Sequence, residues 1–139
     1  MKEFISSTFL SLPVVDLAKS IIFYSSIGFN HKEMFPDNSA AWMTLNDFFS
    51  VMLITQKKWK EFTTREIPNA KKSAQFGLSI MQPCKSNIEN LIIKGIKAGG
   101  TSDPNPIEEF DFMYGRSIED PDGHIIEFKW IDNNAFKNN

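Results

Sequence analysis

VVDLAKSIIFYSSIGF at 14–29 and SNIENLIIKGIKAGG at 86–100 follow one plan, an amphipathic helix stopped at glycine. Each stretch is entered from an alternating segment, FISSTFLSLPV at 4–14 and SAQFGLSIM at 73–81. The chain therefore reads as two copies of one strand–helix module. Each copy is too small to enclose a core alone, so the two must share one, and a ligand groove is expected between them.

In the first strand Thr8, Leu10, Leu12 and Val14 share one face, and Ser7, Phe9 and Ser11 the other. Asp16 is the expected N-cap of the helix that follows. Its stripe is Leu17, Ile21, Tyr24 and Ile27, and Gly28 supplies the left-handed stop. Aromatic and β-branched clusters predict strands near 30–35, 40–45 and 49–55, separated by turn chemistry at Pro36-Asp37-Asn38 and Asn46-Asp47. The first module is thus βαβββ, over about 1–55. Residues 56–72, QKKWKEFTTREIPNAKK, interrupt the repeat with lysines and a Pro-Asn pair, and read as a connector or lid with Trp59 and Phe62 on a short helix.

The second module, 73–134, opens with Phe76, Leu78 and Ile80 facing one way and Gln75, Gly77 and Ser79 the other. Ser86-Asn87-Ile88-Glu89 matches a capping box, and Ile88, Leu91, Ile92 and Ile96 form the stripe behind it. Gly99-Gly100 ends the helix. Thr101 to Phe110 reads as a short edge strand or loop, followed by strands near 112–119 and 124–131. Asp120-Pro121-Asp122-Gly123 joins those strands as a type I turn, and the tail from Asp132 is frayed. On the last strand Ile126, Phe128 and Trp130 belong under the helix, which leaves Ile125, Glu127 and Lys129 for the groove.

With 139 residues, 42% of them hydrophobic, the chain has the size and composition of a single globular domain over 1–134, with a frayed 135–139. Fifteen basic and 17 acidic side chains are mixed along it, giving a net charge of −2 and no basic footprint for nucleic acid. No segment reaches the roughly 18 apolar residues that a membrane helix needs, so no membrane partner is expected. Cys84 is the one cysteine, which excludes an internal disulfide and suits a reducing, cytoplasmic setting with the thiol buried and inert.

Val14-x-Asp16-Leu17, Phe23-Tyr24, Ile27-Gly28-Phe29, Ala98-Gly99-Gly100, Asp120-Pro121-Asp122-Gly123 and Ile126-Glu127 occur in the order found in the vicinal oxygen chelate superfamily. The chain resembles this group, which includes glyoxalase I, extradiol dioxygenases and the fosfomycin and bleomycin resistance proteins. Phe112-Met113-Tyr114-Gly115-Arg116-Ser117 and the Phe62 region are similar to the bacterial proteins labelled lactoylglutathione lyases. The resemblance implies an α+β fold in which two βαβββ modules form a half-barrel sheet with helices outside. It also implies a homodimer, for which exposed sheet edges and the apolar 48–54 strand offer contacts.

In metal-dependent members of that superfamily a ligand sits on the first strand of each module and a carboxylate on the last. Carried over by position, those places fall on Phe9, Gln75, Met52 and Glu127. Glu127 alone is a usual ligand, so no metal and no other cofactor is expected. His31 and His124 do not restore the site: His31 falls at a rim, and His124 faces away from Glu127.

The expected activity is capture of a small hydrophobic or aromatic molecule. Phe9, Trp42, Met52, Gln75, Tyr114, Arg116 and Lys129 line the site, together with Glu127. The alternative is a lyase or isomerase with Glu127 as general base and Arg116 or Tyr114 as electrophilic donors. Against both stands a Glu127 merely paired with Lys129 or Arg116, and a groove filled by its own side chains that serves only protein contacts.

Overall fold

The structure is a computed structural model and describes residues 6–136. The chain divides between Pro68 and Asn69 into two compact units. In the first, β1 (Thr8–Val14), α1 (Leu17–Ser26), β2 (Asn30–Met34), β3 (Ala40–Thr44) and β4 (Phe49–Thr55) are followed by α2 (Gln56–Phe62). The sheet order is β1-β4-β3-β2, with β1 parallel to β4 and the other pairs antiparallel. The apolar strand proposed for partner contacts is β4, which is hydrogen-bonded on both sides and offers no free edge.

Alternation along β1 decides which face is core. Leu12 and Val14 are buried with Val51, Leu53, Ala41 and Met43, all beneath α1. The Asp16 side chain accepts the Lys19 amide at 3.1 Å, the expected N-cap. At the other end Gly28 takes φ +107°, and the Phe29 amide closes back on the Tyr24 carbonyl at 3.1 Å. The buried stripe is turned by one residue from the expected one. Ser20 and Phe23 are fully buried beside Tyr24 and Ile27, while Leu17 and Ile21 are only partly covered. Tyr24 meets Phe23 and Phe29 edge-on, with centroids 5.2 and 5.4 Å apart, so three rings fix this rotation.

The second unit repeats the path: β5 (Leu78–Met81), α3 (Lys85–Lys97), β6 (Thr101–Ser102), β7 (Glu108–Phe110), β8 (Met113–Glu119) and β9 (Ile125–Ile131). Its order is β5-β9-β8-β6, and β7 also pairs with β8. Ile118, Ile126 and Phe128 are buried with Ile88 and Ile92 of α3. A 3-10 turn, Asn133–Phe136, follows β9 where a frayed tail was expected; residues 137–139 lie outside the described residues.

Three local expectations for this unit are corrected. The opening strand starts at Leu78 rather than 73, because Leu78 pairs with Ile126 and the ladder runs out where the β8–β9 turn begins. The Phe76 ring instead stacks on His124, centroids 6.4 Å apart. The helix starts at Lys85 with Cys84 as N-cap, so Ser86 lies inside the first turn and the capping box does not form. Cys84 is only partly buried, and its thiol is held below the usual range, chiefly by a hydrogen bond with the Ser86 hydroxyl. Finally Gly95 is buried where Ile96 was expected, and Ile96 is exposed.

The Asp120–Gly123 turn forms as read, with the Gly123 amide 3.0 Å from the Asp120 carbonyl. Asp120 is buried, and its Oδ1 accepts the amides of Asp122, Gly123 and His124, each at 2.9 Å. Gly123 holds φ +103°. Among the described residues no helix is long and apolar enough to cross a membrane.

Candidate functional site

Strand register sorts the first sheet into two faces. Ser11, Met52 and Trp42 lie abreast on the face opposite α1, with Phe9, Ser50 and Thr44 in the neighbouring rank. Two hollows open along this face. One, of about 420 Å³, is lined by Ser11, Phe35, Ala40, Met52 and Ile54, and by Trp59, Phe62 and Thr63 from the end of the unit. Its wall is almost wholly apolar. Thr55 caps α2 by accepting the Lys58 amide at 3.3 Å, and that short helix carries Trp59 and Phe62 to the rim.

The other hollow, of about 360 Å³, is bordered by Phe9, Trp42, Ser50 and Thr44 together with Asn30, Lys32 and the Asn46-Asp47 turn. Phe9 and Trp42 pack at 5.2 Å with planes tilted by 54°. The indole N–H of Trp42 donates to the Ser50 hydroxyl at 2.9 Å, which fixes the ring across the sheet. Phe9, Trp42 and Met52, three of the expected ligand-binding positions, thus share one face of one sheet. Lys32, Trp59 and Phe35 join them; Trp59 was read only as part of the connector, Phe35 fell at the end of the strand expected near 30–35, and Lys32 carried no signal of its own.

In the second unit Glu127 and Lys129 lie on the face of β9 away from Ile126 and Phe128, as strand parity required. Glu127 Oε2 is 3.0 Å from Lys129 Nζ, with Glu108 a further 3.9 Å neighbour of that ammonium. The hydrogen bond to Glu127 raises the Lys129 pKa above its ordinary value. Ser79 of β5 lies abreast of Glu127, and a Cβ on Gly77 would stand 3.3 Å from its Oε1. Glycine there leaves the carboxylate room. Gln75 is exposed and precedes β5, so the structure gives it no strand position beside Glu127.

Tyr114 and Arg116 alternate onto one face of β8, and it is the α3 face. They pair across the hairpin with Trp130 and Phe128. Arg116 forks onto Asp103, with Nε to Oδ1 at 3.1 Å and Nη2 to Oδ2 at 2.6 Å, and its Nη1 donates to Glu89 Oε2 at 2.8 Å. The Tyr114 hydroxyl donates to the other oxygen of Glu89. Burial, then the bond to Glu89, pushes the Tyr114 phenol up to about 12. Both groups are therefore engaged away from Glu127 and are not brought to its face. The carboxylate read as a helix cap, Glu89, is what holds them.

The donors at Phe9, Gln75, Met52 and Glu127 are a phenyl ring, an exposed amide, a thioether in an apolar hollow and a carboxylate bonded to an ammonium. That set does not fit a divalent ion, which needs about three nitrogen, oxygen or thiolate donors. Elsewhere Asp120, Asp122 and His124 bring potential ligand atoms within 4.8 Å of one another. Asp120 Oδ1 there already accepts three amides, so the cluster reads as a braced turn.

No protein-family model matches the chain, and no curated protein matches it. Solved structures do. The hypothetical protein SA1046 from S. aureus is 23% identical with a TM-score of 0.77, over 92% of this chain and 95% of that one. A glyoxalase/bleomycin resistance protein/dioxygenase family enzyme from Burkholderia phytofirmans PsJN is 16% identical with a TM-score of 0.74, over 91% and 99%. A glyoxalase-related enzyme from Fulvimarina pelagi is 18% identical with a TM-score of 0.74, over 93% and 88%. The chain has the fold of the glyoxalase/bleomycin resistance/dioxygenase proteins, the superfamily fold that its motifs implied.

Proposed function

We propose that the chain binds a small, flat, apolar molecule on the sheet face opposite α1, without a metal ion, and acts by capture. The observation that carries this reading is the hollow of about 420 Å³ walled by Phe35, Met52, Ile54, Trp59 and Phe62. Apolar concave surface of this size suits a ring system, and each buried CH₂ of a ligand contributes about 0.8 kcal/mol. Trp42 and Phe9 extend the same face with rigid aromatic surface. The donor set described above supports binding by shape and dispersion rather than by coordination.

Titration with naphthalenemethanol, followed by intrinsic tryptophan fluorescence, tests this. The wild type is expected to saturate, and Met52→Glu to bind at least about tenfold more weakly, since a carboxylate must then be desolvated by the ligand. Equal affinity in the two proteins would contradict the site. Metal analysis of protein purified without chelator should find no stoichiometric ion.

A second reading rests on Glu127, whose side chain keeps 22% of its surface open beside Gly77. It makes the chain a glyoxalase-type lyase with Glu127 as general base. Turnover of methylglyoxal hemithioacetals, with and without added nickel or zinc, decides it: loss of rate in Glu127→Gln supports the base, and no turnover or equal rates remove it.

A further inference from the structure

We propose that the hollow around Trp42 receives the anionic end of the ligand, with Lys32 selecting it, so that the preferred ligands are aromatic carboxylates. This rests on the binding reading above and narrows its ligand class.

The β2–β3 ladder slips by one residue between His31 and Glu33, which places Lys32 as an extra residue opposite the single Trp42. Such a bulge re-aims a side chain. Here the Lys32 ammonium comes to 4.1 Å from the centre of the Trp42 ring, its one partner among the described residues. No described carboxylate neutralises it. Ser50, 6% exposed, accepts the Trp42 N–H on one lone pair, and no described acceptor takes its own hydroxyl proton. An ammonium and a hydroxyl donor thus border one cavity of about 360 Å³. Donors without acceptors call for an anion.

Geometry links this end to the apolar one. Trp42 and Met52 are register partners on adjacent strands, and each lines one of the two hollows. A ring lying over Met52 would direct a carboxylate substituent toward Trp42 and Lys32. Asp47, also at the cavity, is the one carboxylate among its described lining residues that would attract a cation. The face of Trp42 that would take a cation is already covered by Lys32, whose charge would repel it.

Three probes of one shape separate the cases: naphthoate, naphthalenemethanol and naphthylmethylammonium, titrated by calorimetry at low salt. Wild type should bind naphthoate the most tightly. Lys32→Met should weaken naphthoate by about fivefold and leave the alcohol within about twofold, the scale of one partly exposed charge pair. Lys32→Arg should keep the preference, and Asp47→Asn should strengthen naphthoate binding. Equal affinity for the three probes, a preference for the ammonium, or a Lys32→Met effect absent or equal on all of them would overturn the proposal. If the alcohol binds while naphthoate is not preferred, only this proposal fails; if the alcohol does not bind either, the binding reading fails with it. Lys32 is exposed, so each variant is expected to fold, and an unchanged circular dichroism melt checks that.

Discussion

A Cβ added to Gly123 would stand 2.7 Å from the Lys71 amide nitrogen and 2.8 Å from the Ala70 carbonyl carbon, both backbone atoms that cannot swing aside. The φ of +103° adds strain for any L side chain. Together these predict that Gly123→Ala costs about 2–4 kcal/mol, seen as a lowered denaturation midpoint with an unchanged slope. Gly77 differs. It has ordinary φ, and its close neighbour is the end of a carboxylate, so Gly77→Ala should cost far less. The turn motif around Gly123 was legible from Asp, Pro and Gly spacing alone. What the spacing could not carry was the chain segment at 70–71 packed against it, a contact from about 50 residues earlier in the chain.

At the scale of elements, strands and helix stops followed the sequence closely because alternation and glycine act locally: β2, β3 and β4 stand where turn residues bracket them. The capping box failed because α3 starts at Lys85 and takes Ser86 inside its first turn. Glu89 instead meets Arg116 and Tyr114, from a strand 25 residues and more along the chain. The same interaction settles which face of β8 those two residues occupy, which strand parity alone leaves open. It also sets a pH response. With the Tyr114 phenol pushed up to about 12 in the fold from an ordinary 10.0, the folded protein retains between those values a proton that the unfolded chain has lost. The associated stability is present below about pH 10 and is lost as pH rises through about 12. Ultraviolet titration should show a tyrosinate step near the higher value, absent in Tyr114→Phe and moved down in Glu89→Gln. An unmoved step in Glu89→Gln would contradict the assigned bond.

Over the whole molecule, two sheets with the same strand path carry different surfaces. The face opposite α1 in the first unit is aromatic and apolar, with the Lys32 ammonium over Trp42 at its bulge; the Glu127 face of the second unit is charged, its carboxylate bonded to lysine. Sequence alternation placed Phe9 and Glu127 on their faces, because parity depends only on counting along a strand, while Met52 was reached through the family resemblance. It did not place Gln75, because the β5 ladder stops short, nor reveal Lys32, because a bulge breaks the count. The most direct test of the account is amide and methyl NMR of the protein titrated with naphthalenemethanol. Shifts centred on the Met52 methyl and on the indole N–H groups of Trp42 and Trp59 are the predicted result. Shifts centred on Glu127 and Lys129 with Met52 unmoved, or no saturable shifts at all, would contradict it.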